Sequence, residues 1–355
     1  MHISKRTLAS GLAALAVVTG AACGGDASPL PSASSAPTST AVVTTESVPT
    51  SLATTLPQQT MPETAPASPT AGEQVASLAL PDGFEYPEGI AVDPATGTLF
   101  VTSIAGGAVA SSSPDGSFDV LIPANADGKI MAGGVAATSD RLWLAGGYGA
   151  ALYEYTLDGV FVGSHASGPG GFLNDVVVTD DGVFVTDSVL PTLWRLPLAS
   201  EPDAPLEAFI DLTDEGVTYG EGFNWNGIRE LSDGSLIAAQ TSTGQLFRVD
   251  VAARTVSEIQ TDSAPLLGAD GLVVDDLDVY VVRNSSGRVD TVRLCPDLSC
   301  GAVRAGSESL SMQFPTTAVI VDGQLLVVGS QFDRGGPIGP GEPQRPFTIN
   351  VFTLE

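Results

Sequence analysis

The stretch Asn174-Asp-Val-Val-Val-Thr-Asp-Asp-Gly-Val-Phe-Val185 contains two short apolar runs separated by an Asp-Gly pair. Short runs of β-branched and aromatic residues bounded by turn residues are typical of buried strands. An Asp-Gly pair between two such runs favours a tight hairpin. The stretch therefore predicts two antiparallel strands.

A similar pair of apolar runs around a short turn recurs five more times, each time with a small or polar residue before the first apolar strand. The six segments begin at Glu88, Gly133, Asn174, Asn226, Asp270 and Thr317. Their spacing is 41 to 52 residues, and further apolar strands follow in most segments. A repeat of about 40 to 50 residues with several short strands is typical of a β-propeller. We predict an all-β fold, a six-bladed β-propeller over residues 73–355.

The two ends of this region are expected to close the ring. Residues 75–80 and 347–354 both have the alternating apolar pattern of a strand. If the N-terminal strand completes the last blade, the ring has no open edge between its first and last blades.

The N-terminus has the features of a secretory signal. Lys5 and Arg6 precede a short apolar run that ends just before Cys23. We assign residues 1–22 to a signal peptide and expect lipid attachment at Cys23, because the residues before it resemble a bacterial lipoprotein box. That pattern prefers an aliphatic residue where this chain has Gly20, so cleavage with simple secretion is the alternative. Both predict an extracytoplasmic protein, either secreted or held at the cell membrane by its lipid.

Residues 23–72 are expected to form a disordered linker. Of the 49 residues from 24 to 72, 34 are Ser, Thr, Pro or Ala, and none is Lys, Arg or aromatic. Such a segment cannot bury enough apolar surface to offset its ordering entropy. It reads either as a stalk, with or without glycosylation, or as an inert spacer.

The overall charge excludes some partners. The chain has 14 basic and 41 acidic residues, a formal net charge of −27. Nucleic-acid binding needs a basic surface, and so does docking on anionic lipid, so neither is expected. We expect a monomer that reaches the membrane only through its N-terminal lipid.

A carboxylate or amide side chain begins the inner strand in four of the six repeats. In a propeller these strands line the central channel, so Glu88, Asn174, Asn226 and Asp270 should meet at its mouth. Two carboxylates and two amide oxygens suit a divalent cation, most readily Ca²⁺, with Mg²⁺, Mn²⁺ or Zn²⁺ as alternatives. Each residue taken alone could instead cap a turn; the common position in the repeat favours the metal site.

Other candidates come from the turns after the second strand of each blade and from the cysteines. Asp187, Arg283 and Asn284 lie in those turns, and we predict that they and Thr317 contact a substrate. Cys295 and Cys300 are close in sequence, and in an oxidising compartment they suit a disulfide, with free thiols as the alternative.

The chain resembles the senescence-marker-protein/gluconolactonase family, which includes regucalcin, and more distantly the paraoxonase-like hydrolases. The motifs that carry the resemblance are Pro87-Glu88-Gly89, Leu173-Asn174-Asp175, Trp225-Asn226-Gly227 and Asp270-Gly271-Leu272. The resemblance implies one divalent cation held at the four positions above and assigns the role of base or nucleophile to Asp270. Many gluconolactonase-type members have Arg where this chain has Phe172, which argues against a polar sugar lactone.

Together these features predict an extracytoplasmic, divalent-metal-dependent hydrolase of lactones or related small esters. The expected mechanism is carboxylate-assisted attack of water on a carbonyl polarised by the metal. The alternative is a non-catalytic cell-surface propeller that binds a partner and holds a structural calcium, because a fold does not determine a function.

Overall fold

The computed structural model describes residues 69–306 and 309–355. The predicted signal peptide, Cys23 and most of the predicted linker lie outside these residues. The first strand begins at Ala71, two residues before the predicted start of the propeller at residue 73. None of the helices in the described part of the chain is long and apolar enough to span a membrane.

Twenty-four strands and two 3-10 helices make up the described structure. The strands preceding and forming the first three blades are β1 (Ala71–Ala79), then β2 (Pro87–Val92), β3 (Leu99–Ser103), β4 (Val109–Ser112) and β5 (Phe118–Ile122), then β6 (Val135–Ala137), β7 (Arg141–Ala145), β8 (Ala151–Thr156) and β9 (Phe161–Ala166), then β10 (Leu173–Thr179), β11 (Gly182–Asp187), β12 (Thr192–Leu196) and β13 (Glu207–Asp211).

The remaining strands form the last three blades. They are β14 (Trp225–Glu230), β15 (Leu236–Gln240), β16 (Leu246–Asp250) and β17 (Thr255–Thr261), then β18 (Ala269–Asp275), β19 (Asp278–Arg283), β20 (Arg288–Leu294) and β21 (Cys300–Arg304), then β22 (Pro315–Val321), β23 (Gln324–Gly329) and β24 (Thr348–Leu354). The 3-10 helices are Ala126–Gly128 and Leu310–Met312.

The six blades are four-stranded antiparallel sheets, as the repeats predict. The first strand of each blade contacts the first strand of the next, and β2 contacts β22, which closes the ring around a central channel. Blades four and five are also joined at the rim by a short parallel pairing of β17 with β21.

The prediction that the N-terminal strand completes the last blade is confirmed. Strand β1 pairs with β24 along its length, from Ala71 opposite Leu354 to Ala79 opposite Thr348. Strand β24 in turn pairs with β23, so the last blade combines both ends of the propeller.

The core lies between neighbouring blades, because each sheet packs against another on both faces. All six residues of β11 are buried, which explains why such strands read as continuous apolar runs. Phe184 and Phe209 of the third blade, for example, share one cluster with Trp225 and Phe247 of the fourth. This packing fixes the inner strands, and with them the residues at the channel mouth.

Candidate metal centre

A bulge interrupts five of the six inner strands at the same place. In β2 the pairing passes from Pro87–Ser103 to Ile90–Val101, so two residues lie opposite one. The inner strands β10, β14, β18 and β22 have the same shift. A bulge redirects side chains and ends regular pairing. In four of these strands the first bulge residue, which is Glu88 in β2, lies at the channel mouth.

The register of the bulges supports the predicted alignment in the first, third, fourth and fifth blades. The equivalent residues are Asn174, Asn226 and Asp270, with Gly133 before the short strand β6. In β22 the equivalent of Glu88 is Thr316, because the shift lies between Pro315 and Ala318. The alignment at Thr317 was therefore wrong by one residue.

The structure brings the four predicted ligands together. Glu88, Asn174, Asn226 and Asp270 all line one cavity of about 210 Å³ at the channel mouth. Asn174, Asn226 and Asp270 are each only 5% exposed. Glu88 Oε2 and Asn174 Oδ1 are buried and have no hydrogen-bond partner. Buried acceptors without donors are costly unless a proton or a cation satisfies them.

Hydroxyl groups from the turns after the second strands orient the two asparagines. Asn174 Nδ2 donates to Ser188 Oγ at 2.8 Å, and Asn226 Nδ2 donates to Thr241 Oγ1 at 3.1 Å. Each hydroxyl donates its own proton to a backbone carbonyl of the next blade, both at 2.7 Å. Because that proton is already used, the hydroxyl can only accept from the amide. Each asparagine is therefore held by its nitrogen, which leaves its oxygen available as a ligand.

The carboxylates are similarly constrained. Asn284 Nδ2 donates to Asp270 Oδ2 at 3.0 Å, which fixes one oxygen of this carboxylate. Burial is the main cause that raises the pKa of Asp270, to about 7; the hydrogen bond from Asn284 opposes this, and Asp175 adds repulsion. Burial, followed by Asp270 and Asp175, raises the pKa of Glu88 well above its usual range. A divalent cation would relieve this repulsion and suits the oxygen donors present.

An ion pair lies next to the four ligands, at the second bulge residue of β10. Asp175 Oδ2 accepts from Arg229 Nη1 at 2.7 Å and from the backbone nitrogen of Ile228 at 3.1 Å. A side chain at Gly134 would collide with the Asp175 carboxylate, so this glycine makes room for the pair. The Arg229 guanidinium opposes the rise in the pKa of Glu88.

The predicted substrate-contacting residues have mixed outcomes. Asn284 lines the cavity, and Thr317 lies among the residues further into the channel, with a buried, unpartnered hydroxyl. Asp187 is fully buried, and its Oδ1 accepts hydrogen bonds from three backbone nitrogens. Arg283 does not line the cavity, because its Nη1 pairs with Asp290 at 2.8 Å. Neither Asp187 nor Arg283 can contact a substrate there.

Sequence reasoning missed most of the apolar wall of the cavity. Phe172, which stands where many gluconolactonase-type members have Arg, lines the cavity. The wall also includes Met131, Tyr148, Phe223, Phe332 and Ile338. These residues lie in loops between strands, where no repeat pattern identifies them. In the sequence, each of them stands out only as an apolar residue within a Gly-rich or Pro-rich loop.

The cysteines and the histidine lie away from this cavity. Cys295 and Cys300 form the expected disulfide, with their Cα atoms 5.3 Å apart. His165 lies in β9, where its Nδ1 is 2.8 Å from the carbonyl oxygen of Ala204.

Comparison with solved structures agrees with the fold and with the family resemblance. A calcium-binding regucalcin from Agrobacterium tumefaciens is 17% identical, covering 80% of this chain and 96% of its own, with a TM-score of 0.56. A gluconolactonase from Xanthomonas campestris is 18% identical, covering 81% and 95%, with a TM-score of 0.54. The major allergen Mala s 1 of Malassezia sympodialis is 14% identical, covering 79% and 96%, with a TM-score of 0.60. At these identities the likeness shows a shared fold. No protein-family model and no curated protein matches the sequence.

Proposed function

We propose that this protein is a divalent-cation-dependent hydrolase of lactones or related esters, with Ca²⁺ as the expected cation. The observation that carries the proposal is the set of four oxygen-bearing side chains around one cavity, two of them with buried and unpartnered oxygens. The structural likeness to a regucalcin and a gluconolactonase supports the same reading.

Glu88, Asn174, Asn226 and Asp270 would hold the cation. Once bound, it would supply Lewis-acid polarisation of the substrate carbonyl. Asp270 is the proposed base: it takes a proton from the attacking water, and the water oxygen bonds to the carbonyl carbon. The proton then passes to the alkoxide oxygen that leaves when the ester C–O bond breaks. Asn284 holds Asp270 Oδ2, which keeps the carboxylate orientation fixed during this transfer.

The proposed place of action is outside the cytoplasm, with Cys23 as the lipid-bearing residue or with simple secretion as the alternative. The disulfide between Cys295 and Cys300 supports an oxidising compartment. Mass spectrometry of the mature N-terminus separates the two routes, because only lipidation adds acyl mass to Cys23. The protein is proposed to act as a monomer, which light scattering on the purified chain tests.

The test of the proposed function combines cation binding with turnover. Purified protein is stripped with a chelator, titrated with Ca²⁺ by calorimetry, and assayed on lactones and aryl esters. We expect one bound cation and cation-dependent hydrolysis, both lost in Glu88→Gln. Asp115→Asn, in the turn between β4 and β5, is the matched control, because its carboxylate bonds only within its own turn.

The outcomes separate the two candidate functions. Cation binding without hydrolysis of any lactone or ester favours the alternative, a binding module with a structural calcium. Absence of both cation binding and hydrolysis refutes the proposal and the metal site together.

A further inference from the structure

The cavity at the channel mouth has two chemically distinct parts. Its polar lining residues are the four proposed ligands together with Thr241 and Asn284, which support them. Its remaining wall is almost wholly apolar and includes Met131, Tyr148, Phe172, Phe223, Phe332 and Ile338. A ligand whose reacting group meets the four oxygens must place the rest of its structure against this wall.

One side of the wall is a row of three aromatic rings. The Tyr148 and Phe172 ring centroids are 4.7 Å apart with an interplanar angle of 80°. Those of Phe172 and Phe223 are 4.9 Å apart at 70°. Edge-to-face contacts of this kind favour a defined arrangement of rings. The row is nonetheless open to solvent, because Tyr148 is 60% exposed and Phe223 is 42% exposed.

The opposite side comes from the long loop between β23 and β24. Phe332 and Ile338 of this loop line the cavity, and Ile338 is 62% exposed. The stem of the loop is held by a pair of hydrogen bonds between Gln331 and Gln344, at 2.9 and 2.7 Å. The apolar side chains are therefore presented by an anchored loop, and their exposure at the mouth offers apolar surface to a ligand.

No cationic side chain is among the described residues that line the cavity. Arg334, in the same loop as Phe332, has its Nε 4.0 Å from Asp333 Oδ2. Arg345 makes two hydrogen bonds to Glu85, both at 2.7 Å, and Arg283 pairs with Asp290. A polyhydroxylated substrate would place its hydroxyl groups against aromatic and aliphatic carbon, where they would lose hydrogen bonds to water. The wall therefore favours an uncharged, apolar substituent.

We propose that the preferred substrates are lactones or esters that carry an uncharged alkyl or aryl substituent, and that the apolar wall binds this substituent. This substrate class rests on the proposed hydrolase function. The binding preference for an apolar chain can be tested separately, because it depends on the wall and not on turnover.

The test uses γ-lactones of increasing chain length, from γ-butyrolactone to γ-decalactone, beside D-glucono-δ-lactone. We expect kcat/KM to rise about threefold for each added methylene until the wall is covered. Phe223→Ala should flatten this series. Val160→Ala is the matched control, because Val160 is 62% exposed in the turn before β9 and does not line the cavity, so the series should be unchanged.

A binding measurement tests the apolar wall separately from the hydrolase function. The neutral dye Nile red should fluoresce on binding to the chelator-treated protein and should bind several-fold more weakly to Phe223→Ala. We expect γ-decalactone to displace the dye, while D-glucono-δ-lactone does not.

The possible results separate the proposed substrate class from the proposed hydrolase function. Cation-dependent hydrolysis that is indifferent to chain length, or fastest with D-glucono-δ-lactone, overturns the apolar substrate class and leaves the hydrolase standing. If no lactone is hydrolysed, the proposed hydrolase function is wrong. The dye displacement then decides alone whether the wall binds apolar chains. A dye that γ-decalactone cannot displace overturns that binding claim.

Discussion

Replacing Asp270 by Asn should stabilise the cation-free protein at pH 8, although it should abolish cation binding. The carboxylate is buried beside other carboxylates, and its pKa is raised from 3.8 to about 7. Because this pKa is higher in the folded state than in the unfolded state, ionisation weakens folding. Each pKa unit corresponds to about 1.4 kcal/mol, so full ionisation costs up to about 4 kcal/mol.

The size of the stabilisation should depend on pH in a defined way. Below about pH 4 the group is protonated in both states, so Asp270→Asn should change the free energy of unfolding little. As pH rises from about 4 to 7, the wild type loses stability that the variant keeps. At pH 8 with chelator, we expect the variant to be more stable by about 2 to 4 kcal/mol. Asn keeps an oxygen that can accept the hydrogen bond from Asn284.

The assay is urea unfolding followed by tryptophan fluorescence, at pH 4 to 8, with chelator or with Ca²⁺. Ca²⁺ should stabilise the wild type and leave the variant unchanged. Asp187→Asn is the matched control: the same substitution at a carboxylate that accepts three backbone hydrogen bonds should destabilise by about 2 kcal/mol. A variant at position 270 that is less stable than the wild type at pH 8 in chelator, or a difference that does not vary with pH, would refute the reasoning.

Three further predictions concern the support of the site and of the fold. Thr241→Val removes the hydroxyl that accepts from the Asn226 amide, and it should weaken Ca²⁺ binding about 10- to 100-fold in calorimetry. The free energy of unfolding in urea should change much less. Unchanged Ca²⁺ affinity would contradict the proposed orientation of Asn226. Arg229→Leu leaves the Asp175 carboxylate buried without its guanidinium partner and should lower the free energy of unfolding by about 3 kcal/mol. Combining it with Asp175→Asn should recover part of this loss. No recovery would show that the two side chains do not act as a pair. Replacing Cys295 and Cys300 together by Ser should lower the free energy of unfolding in urea by about 2 kcal/mol, as expected for so short a disulfide loop. A loss near zero would contradict this expectation.

The fold could be predicted because its main determinants are local and repeated. Pairs of apolar strands separated by a short turn, as at Asp181-Gly182, recur every 41 to 52 residues, and six such units are typical of a closed ring. The closure of the last blade by the N-terminal strand followed from the two apolar ends. The bulges were not visible in the sequence, because they change only how a strand pairs. They shift Thr317 by one position relative to the predicted alignment.

The convergence of Glu88, Asn174, Asn226 and Asp270 on one cavity could be predicted because they share one position in the repeat. The side chains around them could not, because equivalent turn positions have different surroundings. Asn284 faces Asp270, whereas the equivalent Ser188 faces Asn174, and Asp187 one residue earlier turns inward to bind backbone nitrogens. The apolar wall was missed because nonrepetitive loops supply it. We propose that substrate preference depends on these residues, which is why the sequence alone indicates a reaction class more readily than a substrate.

The central claim is that Glu88, Asn174, Asn226 and Asp270 hold one divalent cation at the mouth of the channel. Its most direct test is anomalous X-ray diffraction from a crystal of the protein saturated with Mn²⁺, an ion that scatters anomalously and suits the same oxygen ligands. We expect one strong anomalous peak among the four side-chain oxygens. Saturated crystals with no peak in the channel, or with the ion bound elsewhere, would contradict it.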